Sequence, residues 1–210
     1  MVNNRLFERD RQRDRQSREP DYGFFGIRRD AMSKKVLILS GSPRKGGNSD
    51  LLCDEFARGA ADAGADVEKI FIRDKKIGYC AACYYCKNHD GACAIKDDMA
   101  EILDKMTEAD VIVLASPVYF YSIDAQLKTV IDRTVARWTV IKDKEFYYIM
   151  TAADTERSSM DCTLACMRGL ADCLSGSKEM GVIYGTGVYE PGKIKDTPAF
   201  AQAYETGLNV

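Results

Sequence analysis

The chain has 210 residues, 46% of them hydrophobic and 30% charged, and a formal net charge of −2. That is a globular balance with no electrostatic case for nucleic acid or an anionic membrane surface, and no apolar run nears the ~20 residues of a membrane span. Eight cysteines without an export signal imply a reducing, cytoplasmic setting, in which a tight cysteine cluster points to metal or redox chemistry rather than to disulfides.

Residues 1–32 stand apart in composition, with eight arginines, six acids and no lysine. Eight minus six leaves only +2, too little for an RNA-binding arm. They read as a disordered or mis-called N-terminal extension, with Met32 the natural first residue and residues 33–210 a single domain.

Val36–Leu39 reads as a buried strand running into Ser40-Gly41-Ser42-Pro43-Arg44-Lys45-Gly46-Gly47-Asn48-Ser49. A helix capped by Ser49 follows, with Leu52, Phe56 and Ala60 on one face and an end near Gly64. A loop of such small residues lets backbone N–H groups point at an anion, and the helix adds its positive end to the same point. Ser42, Asn48 and Ser49 offer further hydrogen bonds, and Arg44 a full charge. The Lys-[Ser/Thr] ending of a Walker A loop is missing, as is the second glycine of the dinucleotide fingerprint. What remains suits a single phosphomonoester; the plainer alternative is a glycine-rich turn between strand and helix.

Val67–Ile72 is the second expected strand, and a cysteine-rich loop at 79–94 follows. Asp97 or Asp98 then caps a helix with Met99, Ile102, Leu103 and Met106 at i, i+3, i+4 and i+7. Val111–Ala115 is a continuous apolar run, as in a central parallel strand. After Ser116-Pro117 comes an aromatic loop, Val118–Ser122, and a helix expected to turn Leu127, Ile131, Val135 and Trp138 inward. Phe146–Met150 and Val182–Tyr184 complete five strands, with a helix between them from about Ser158 to Leu174.

Repeated β-α-β units without hairpin signals predict an α/β fold: a doubly wound five-stranded parallel sheet with helices on both faces. Ligands of such sheets sit beyond the carboxyl ends of the strands. The loops Ser42–Ser49, Pro117–Ser122 and Thr151–Thr155 therefore become neighbours. A ring system attached to a phosphate at the first loop would lie against Pro117, Val118, Tyr119 and Phe120. The alternative is that these aromatics only cover the sheet edge.

Cys80-x₂-Cys83-x₂-Cys86 brings three thiolates round one centre, and Cys93 follows after six residues. This is the ligand economy of a [4Fe–4S] cluster. Structural zinc, a redox-active dithiol and plain partly buried cysteines are the competing readings. His89, the only histidine, reads as a solvated loop residue, and its isolation argues against histidine-dependent hydrolysis. Cys162, Cys166 and Cys173 share one helix face and are expected to pack against the sheet or a partner subunit; Cys53 reads as core.

The loop Gly41-Ser42-Pro43-Arg44-x-Gly-Gly-Asn48-Ser49, then Ser116-Pro117-Val118-Tyr119, then Leu127-Lys128-x-x-Ile131-Asp132-Arg133, resembles the NADPH-dependent FMN reductase-like family of the flavodoxin-like superfamily. The resemblance runs over nearly everything from Lys35 onward. It implies a flavodoxin-like fold and FMN, with Ser42, Arg44, Asn48 and Ser49 on the phosphate. Pro117, Val118, Tyr119 and Phe120 would line the isoalloxazine, and Thr151 and Ala152 its other side. The cysteine loop is similar to that of the iron–sulfur flavoproteins, whose likeness implies a [4Fe–4S] cluster on Cys80, Cys83, Cys86 and Cys93. Many flavoproteins of the superfamily carry a similar loop followed by Asp-Asp-Met, as Asp97-Asp98-Met99 here, without an established cluster.

The expected function is thus FMN-dependent oxidoreduction, passing electrons from NAD(P)H as co-substrate to a small-molecule or ferredoxin-type partner. The alternative is a non-enzymatic electron carrier of the flavodoxin or iron–sulfur flavoprotein kind. The likeness also implies a homodimer or homotetramer.

Overall fold

The computed structural model describes residues 33–210; the N-terminal extension expected over 1–32 lies outside the described residues. Five strands form one parallel sheet: β1 (Lys35–Ser40), β2 (Asp66–Phe71), β3 (Val111–Pro117), β4 (Glu145–Thr151) and β5 (Lys178–Gly185). Their order, β2-β1-β3-β4-β5, is that of a flavodoxin-like sheet. Among them run α1 (Asn48–Asp62), α2 (Met99–Glu108), α3 (Ala125–Arg133), α4 (Asp161–Cys173) and α5 (Pro198–Leu208).

The central strands carry unbroken buried runs, Val36–Leu39, Val111–Ala115 and Phe146–Met150, because both sheet faces are covered. Leu37, Leu39, Ile112, Leu114, Phe146 and Tyr148 face a core shared with α2, α3 and α4. Val36, Ile38, Val111, Val113, Tyr147 and Ile149 face the other core, with Leu52 and Phe56 of α1 and Ala199 and Ala203 of α5. Each fully buried side chain of this size contributes about 1.5–3 kcal/mol, so the two cores together hold the sheet in place.

Four expectations need correction. Helix α1 begins at Asn48, and its N-cap is Gly47, which has no side chain to cap with; Ser49 is already inside the helix. Helix α3 ends at Arg133 and tightens into a 3₁₀ turn, Thr134–Ala136. That change of pitch turns Val135 and Trp138 outward, to 41% and 46% exposure. The expected helix from Ser158 opens instead with a 3₁₀ turn, Arg157–Met160, and of its three cysteines only Cys166 packs against the core, Cys162 and Cys173 being exposed. Finally, α5 was not expected at all: its buried side is Ala199, Ala203 and Gly207, too small to register as an apolar stripe.

Helices α1 and α5 touch backbone to backbone. A Cβ on Gly59 would stand 2.1 Å from the Tyr204 carbonyl oxygen, and one on Gly207 would stand 2.2 Å from that of Phe56. Arg58 lies over the Tyr204 ring at 3.8 Å, and the Tyr204 hydroxyl donates to Asp62 at 2.9 Å. Cys53 is fully buried, as expected, and burial pushes its thiol up, away from reactivity.

Candidate active site

The carboxyl end of β1 is pinned to β3 by a Gly41 N–H that donates to Ala115 O at 2.9 Å. Beyond it the loop folds on itself. Ser42 Oγ accepts from the Arg44 amide and donates to the Arg44 carbonyl, both at 3.2 Å, and Gly47 N–H donates to the same carbonyl at 3.1 Å. The first intrahelical bond of α1 runs from Leu51 N–H to Gly47 O at 2.9 Å. The amides of Asn48, Ser49 and Asp50 precede it, so they have no acceptor within the helix. A bare N-cap, unpaired first-turn amides and Arg44 together make a cradle for an anion.

Asp50 does not oppose that charge. Its carboxylate accepts from Gly46 N–H at 2.8 Å and from Lys69 Nζ at 2.8 Å. The Asn48 carboxamide, expected as a free donor, is engaged elsewhere. Its Nδ2 donates to Glu190 O at 3.0 Å, and its Oδ1 accepts from Ile194 N–H at 3.3 Å. Asn48 thereby tethers the segment after β5 to the cradle. Asn48→Ala is expected to lower stability by about 1–2 kcal/mol through these two lost bonds, read as an earlier urea midpoint with an unchanged slope.

A cavity of about 180 Å³ opens at this point. Ser42, Arg44, Asn48 and Ser49 line it from the first loop, Pro117, Val118 and Tyr119 from the third, and Thr151 and Ala152 from the fourth. All of these expected residues are brought together; Phe120 is not, standing fully exposed outside the lining. Val188, Tyr189 and Pro191 add a wall that sequence reasoning missed. Its signal was the run Gly185-Thr-Gly187-Val188-Tyr189-Glu-Pro191-Gly192, turn-forming residues straight after the last strand. Backbone bonds lock the walls together: Val118 N–H to Thr151 O at 2.8 Å, Ala152 N–H to Gly185 O and Val188 N–H to Ala152 O, both at 2.9 Å.

Under the cradle lies Asp124, 1% exposed. It caps α3 by accepting from Leu127 N–H at 2.9 Å, and its other oxygen accepts from Ser116 Oγ at 2.6 Å. Burial pushes its carboxyl above the ordinary range, opposed by the Ser116 hydroxyl and the Leu127 amide.

The aromatic loop is a tight turn closed by Tyr119 N–H to Ser122 O at 2.9 Å and Ser122 N–H to Tyr119 O at 3.0 Å. Its two central residues, Phe120 and Tyr121, have φ of 50° and 61°. This conformation favours Asn-Gly, and side chains larger than those carry roughly 1–2 kcal/mol of strain each. Replacing Phe120-Tyr121 by Asn-Gly is expected to stabilise the chain by about 1–2 kcal/mol, measured as a raised thermal midpoint; a lowered midpoint would show that the aromatics are packed rather than strained.

The four loop cysteines form a second grouping. Cys80, Cys83, Cys86 and Cys93 line one cavity of about 410 Å³, together with Ile95, Arg133 and the side of α3. Among the described residues no three Cys, His, Asp or Glu side chains are drawn into a metal-holding arrangement. The loop backbone is unusual, with Ala82, Tyr84 and Asp90 all at positive φ. His89 is exposed and stacks on Tyr85 at 3.6 Å between ring centroids. The cysteine cavity and the cradle cavity share no lining residue.

Residues 34–166 match the profile of the NADPH-dependent FMN reductase family. The chain belongs to that family. Within the NADPH-dependent FMN reductase family it is similar to an iron-sulfur flavoprotein of Methanocaldococcus jannaschii, 48% identical over 100 residues, covering 48% of this chain and 51% of the relative. An iron-sulfur flavoprotein of Methanosarcina thermophila is 41% identical over 101 residues, covering 48% and 52%. The chain spans about half the length of the curated relatives it matches. The fold is shared with an FMN-dependent NADH-azoreductase of Bacillus anthracis in complex with FMN, at a TM-score of 0.67 and 17% identity over 84% of this chain and 99% of the other. An NAD(P)H:quinone oxidoreductase of Methanothermobacter marburgensis overlays at 0.66, with 17% identity over 84% and 96%.

Proposed function

We propose that the chain binds FMN in the cradle cavity and is an oxidoreductase that moves electrons from NAD(P)H to an acceptor. The observation that carries this is the convergence of three strand-end loops on an uncapped helix N-terminus with Arg44 beside it. The residues fit the cofactor: unpaired first-turn amides, the Ser49 hydroxyl and Arg44 for a phosphate, with the Ser42 hydroxyl bracing the loop through Arg44 O and able to turn to the phosphate, and a partly apolar wall of Pro117, Val118 and Tyr119 for a flat ring. FMN, when bound, supplies the hydride and electron chemistry. The chain's part is to hold the phosphate, to set the plane of the ring between the Pro117–Tyr119 and Thr151–Ala152 segments, and to limit water through the Val188–Pro191 wall. Arg44→Ala is expected to weaken FMN about tenfold or more by removing a charge-assisted hydrogen bond, read by flavin fluorescence titration.

The second part of the reading assigns Cys80, Cys83, Cys86 and Cys93 as ligands of a [4Fe–4S] cluster. The support is a set of four thiols lining one cavity, a soft donor set suited to iron and sulfide, and the names of the relatives. Such a cluster, when bound, supplies one-electron transfer. The test is a visible spectrum with iron and acid-labile sulfide analysis on protein purified without oxygen. Flavin bands over a broad absorbance, with about four irons per chain, support both parts. Flavin bands without iron remove the cluster, and no flavin binding after FMN addition removes the whole reading. Electron exchange with a ferredoxin but no NAD(P)H oxidation would replace the enzyme by a carrier.

A further inference from the structure

Two motifs, Asp97-Asp98-Met99 and Ile131-Asp132-Arg133, have no task in the flavin cleft. The structure joins them. Arg133, in the last turn of α3, is 2% exposed and stands first by size among the fully buried side chains described. Its Nη1 donates to Asp97 Oδ2 at 2.8 Å and to Gly78 O at 2.5 Å. Its Nη2 donates to Asp97 Oδ1 at 3.0 Å and to Cys93 Sγ at 3.4 Å. Asp97 Oδ2 also accepts from Gly78 N–H at 2.9 Å, and Oδ1 from Met99 N–H at 3.2 Å. Arg133 Nε has no hydrogen-bond partner, although it is buried, and the side chain lines the cavity that holds all four loop cysteines.

Asp97 takes one donor from each terminal nitrogen of the guanidinium. The two further contacts fall at the ends of the cysteine loop: Gly78 stands two residues before Cys80, and Cys93 is the last of the four. A buried guanidinium is costly unless fully paired, yet here one donor is spent on a weak sulfur acceptor and another is left over. Both facts make sense if the fork is built toward an anion on the cysteine side.

We propose that Arg133 and Asp97 are a positioning pair for a sulfur-ligated anionic cluster in the cysteine cavity. Asp97 holds the loop's entrance through the Gly78 amide, while Arg133 holds its exit and donates a charged hydrogen bond to the Cys93 sulfur. This rests on the cluster reading above. Hydrogen bonds to ligating sulfur stabilise the more reduced, more negative state and so raise the reduction potential. The pair therefore sets both the order of the loop and the potential of what it holds.

The test uses the full chain, purified without oxygen and supplied with iron and sulfide, as wild type, Arg133→Lys and Arg133→Met. Three quantities are read: iron and sulfide per chain, the cluster's midpoint potential, and FMN affinity as a check on the fold. Arg133→Met is expected to lose most of its iron while FMN affinity stays at the wild-type value. Arg133→Lys keeps the charge but not the planar fork, and is expected to load iron yet reduce at a more negative potential. Either variant matching wild type in both loading and potential overturns the proposal. Should Arg133→Met fail to bind FMN, it has not folded, and the potential of Arg133→Lys decides. A wild-type chain that takes up no iron overturns the cluster reading itself, and this assignment with it.

Discussion

Gly41→Ala is expected to destabilise the chain by about 3 kcal/mol and to weaken flavin binding with it. A Cβ at this position would stand 2.2 Å from Asp124 Oδ2 and 2.8 Å from both Asp124 Cγ and Oδ1. The carboxylate cannot swing aside, because Ser116 Oγ at 2.6 Å and Leu127 N–H at 2.9 Å hold its two oxygens. The strain must therefore move β1's end or the start of α3, and both carry walls of the cradle cavity. Asp124→Ala alone is expected to cost about 2 kcal/mol through the lost cap and the lost hydrogen bond from Ser116 Oγ. In that background the three nearest obstacles to the new methyl are gone, since all of them belonged to the Asp124 carboxylate. Urea unfolding of the two single variants and the double is the measurement. The double is expected to match Asp124→Ala, a coupling of about 3 kcal/mol; additive losses would show that Gly41 is required for some other reason.

Gly59→Ala and Gly207→Ala should each lower the thermal midpoint by about 5–10 °C, equivalent to about 2–3 kcal/mol. In a free helix the same changes would stabilise by about 1 kcal/mol, so the sign of the shift is diagnostic. The obstacles here are backbone atoms: Tyr204 O at 2.1 Å and Leu208 N at 3.0 Å for Gly59, Phe56 O at 2.2 Å and Ala60 N at 2.9 Å for Gly207. Neither can rotate away, so α1 and α5 must separate. The effect reaches the cleft, because the 3₁₀ turn Lys193–Asp196 that leads into α5 contains Ile194, whose amide is bound to Asn48 of α1. A loosened FMN affinity should accompany the lowered midpoint. A raised midpoint in either variant would refute the close helix contact.

Most of what positions the candidate site was legible in the chain before any coordinates. Strands buried on both faces read as unbroken apolar runs, and this is why β1, β3 and β4 were placed to within a residue or two. Their parallel order followed from the helices between them. The rule that ligands sit at the carboxyl ends then gathered the loops Ser42–Ser49, Pro117–Ser122 and Thr151–Thr155 without knowledge of any contact. Phe120 shows the limit of such reasoning: the residue type suited a ring platform, but a turn with two positive φ values carries its side chain into solvent.

What the chain determined by itself was therefore element type for the longer elements, the parallel sense of the strands and the identity of the loops that meet, because each follows from local periodicity, turn chemistry and the helices between strands. Only the tertiary structure decided the contacts between distant segments. Asp97 and Arg133 lie 36 residues apart, Asn48 and Glu190 142 apart, and no local pattern marks them as partners. Helix α5 was invisible for a related reason: small residues bury little apolar surface, and their value lies in letting another backbone approach. Such contacts exist only once the sheet has brought the two ends of the chain together.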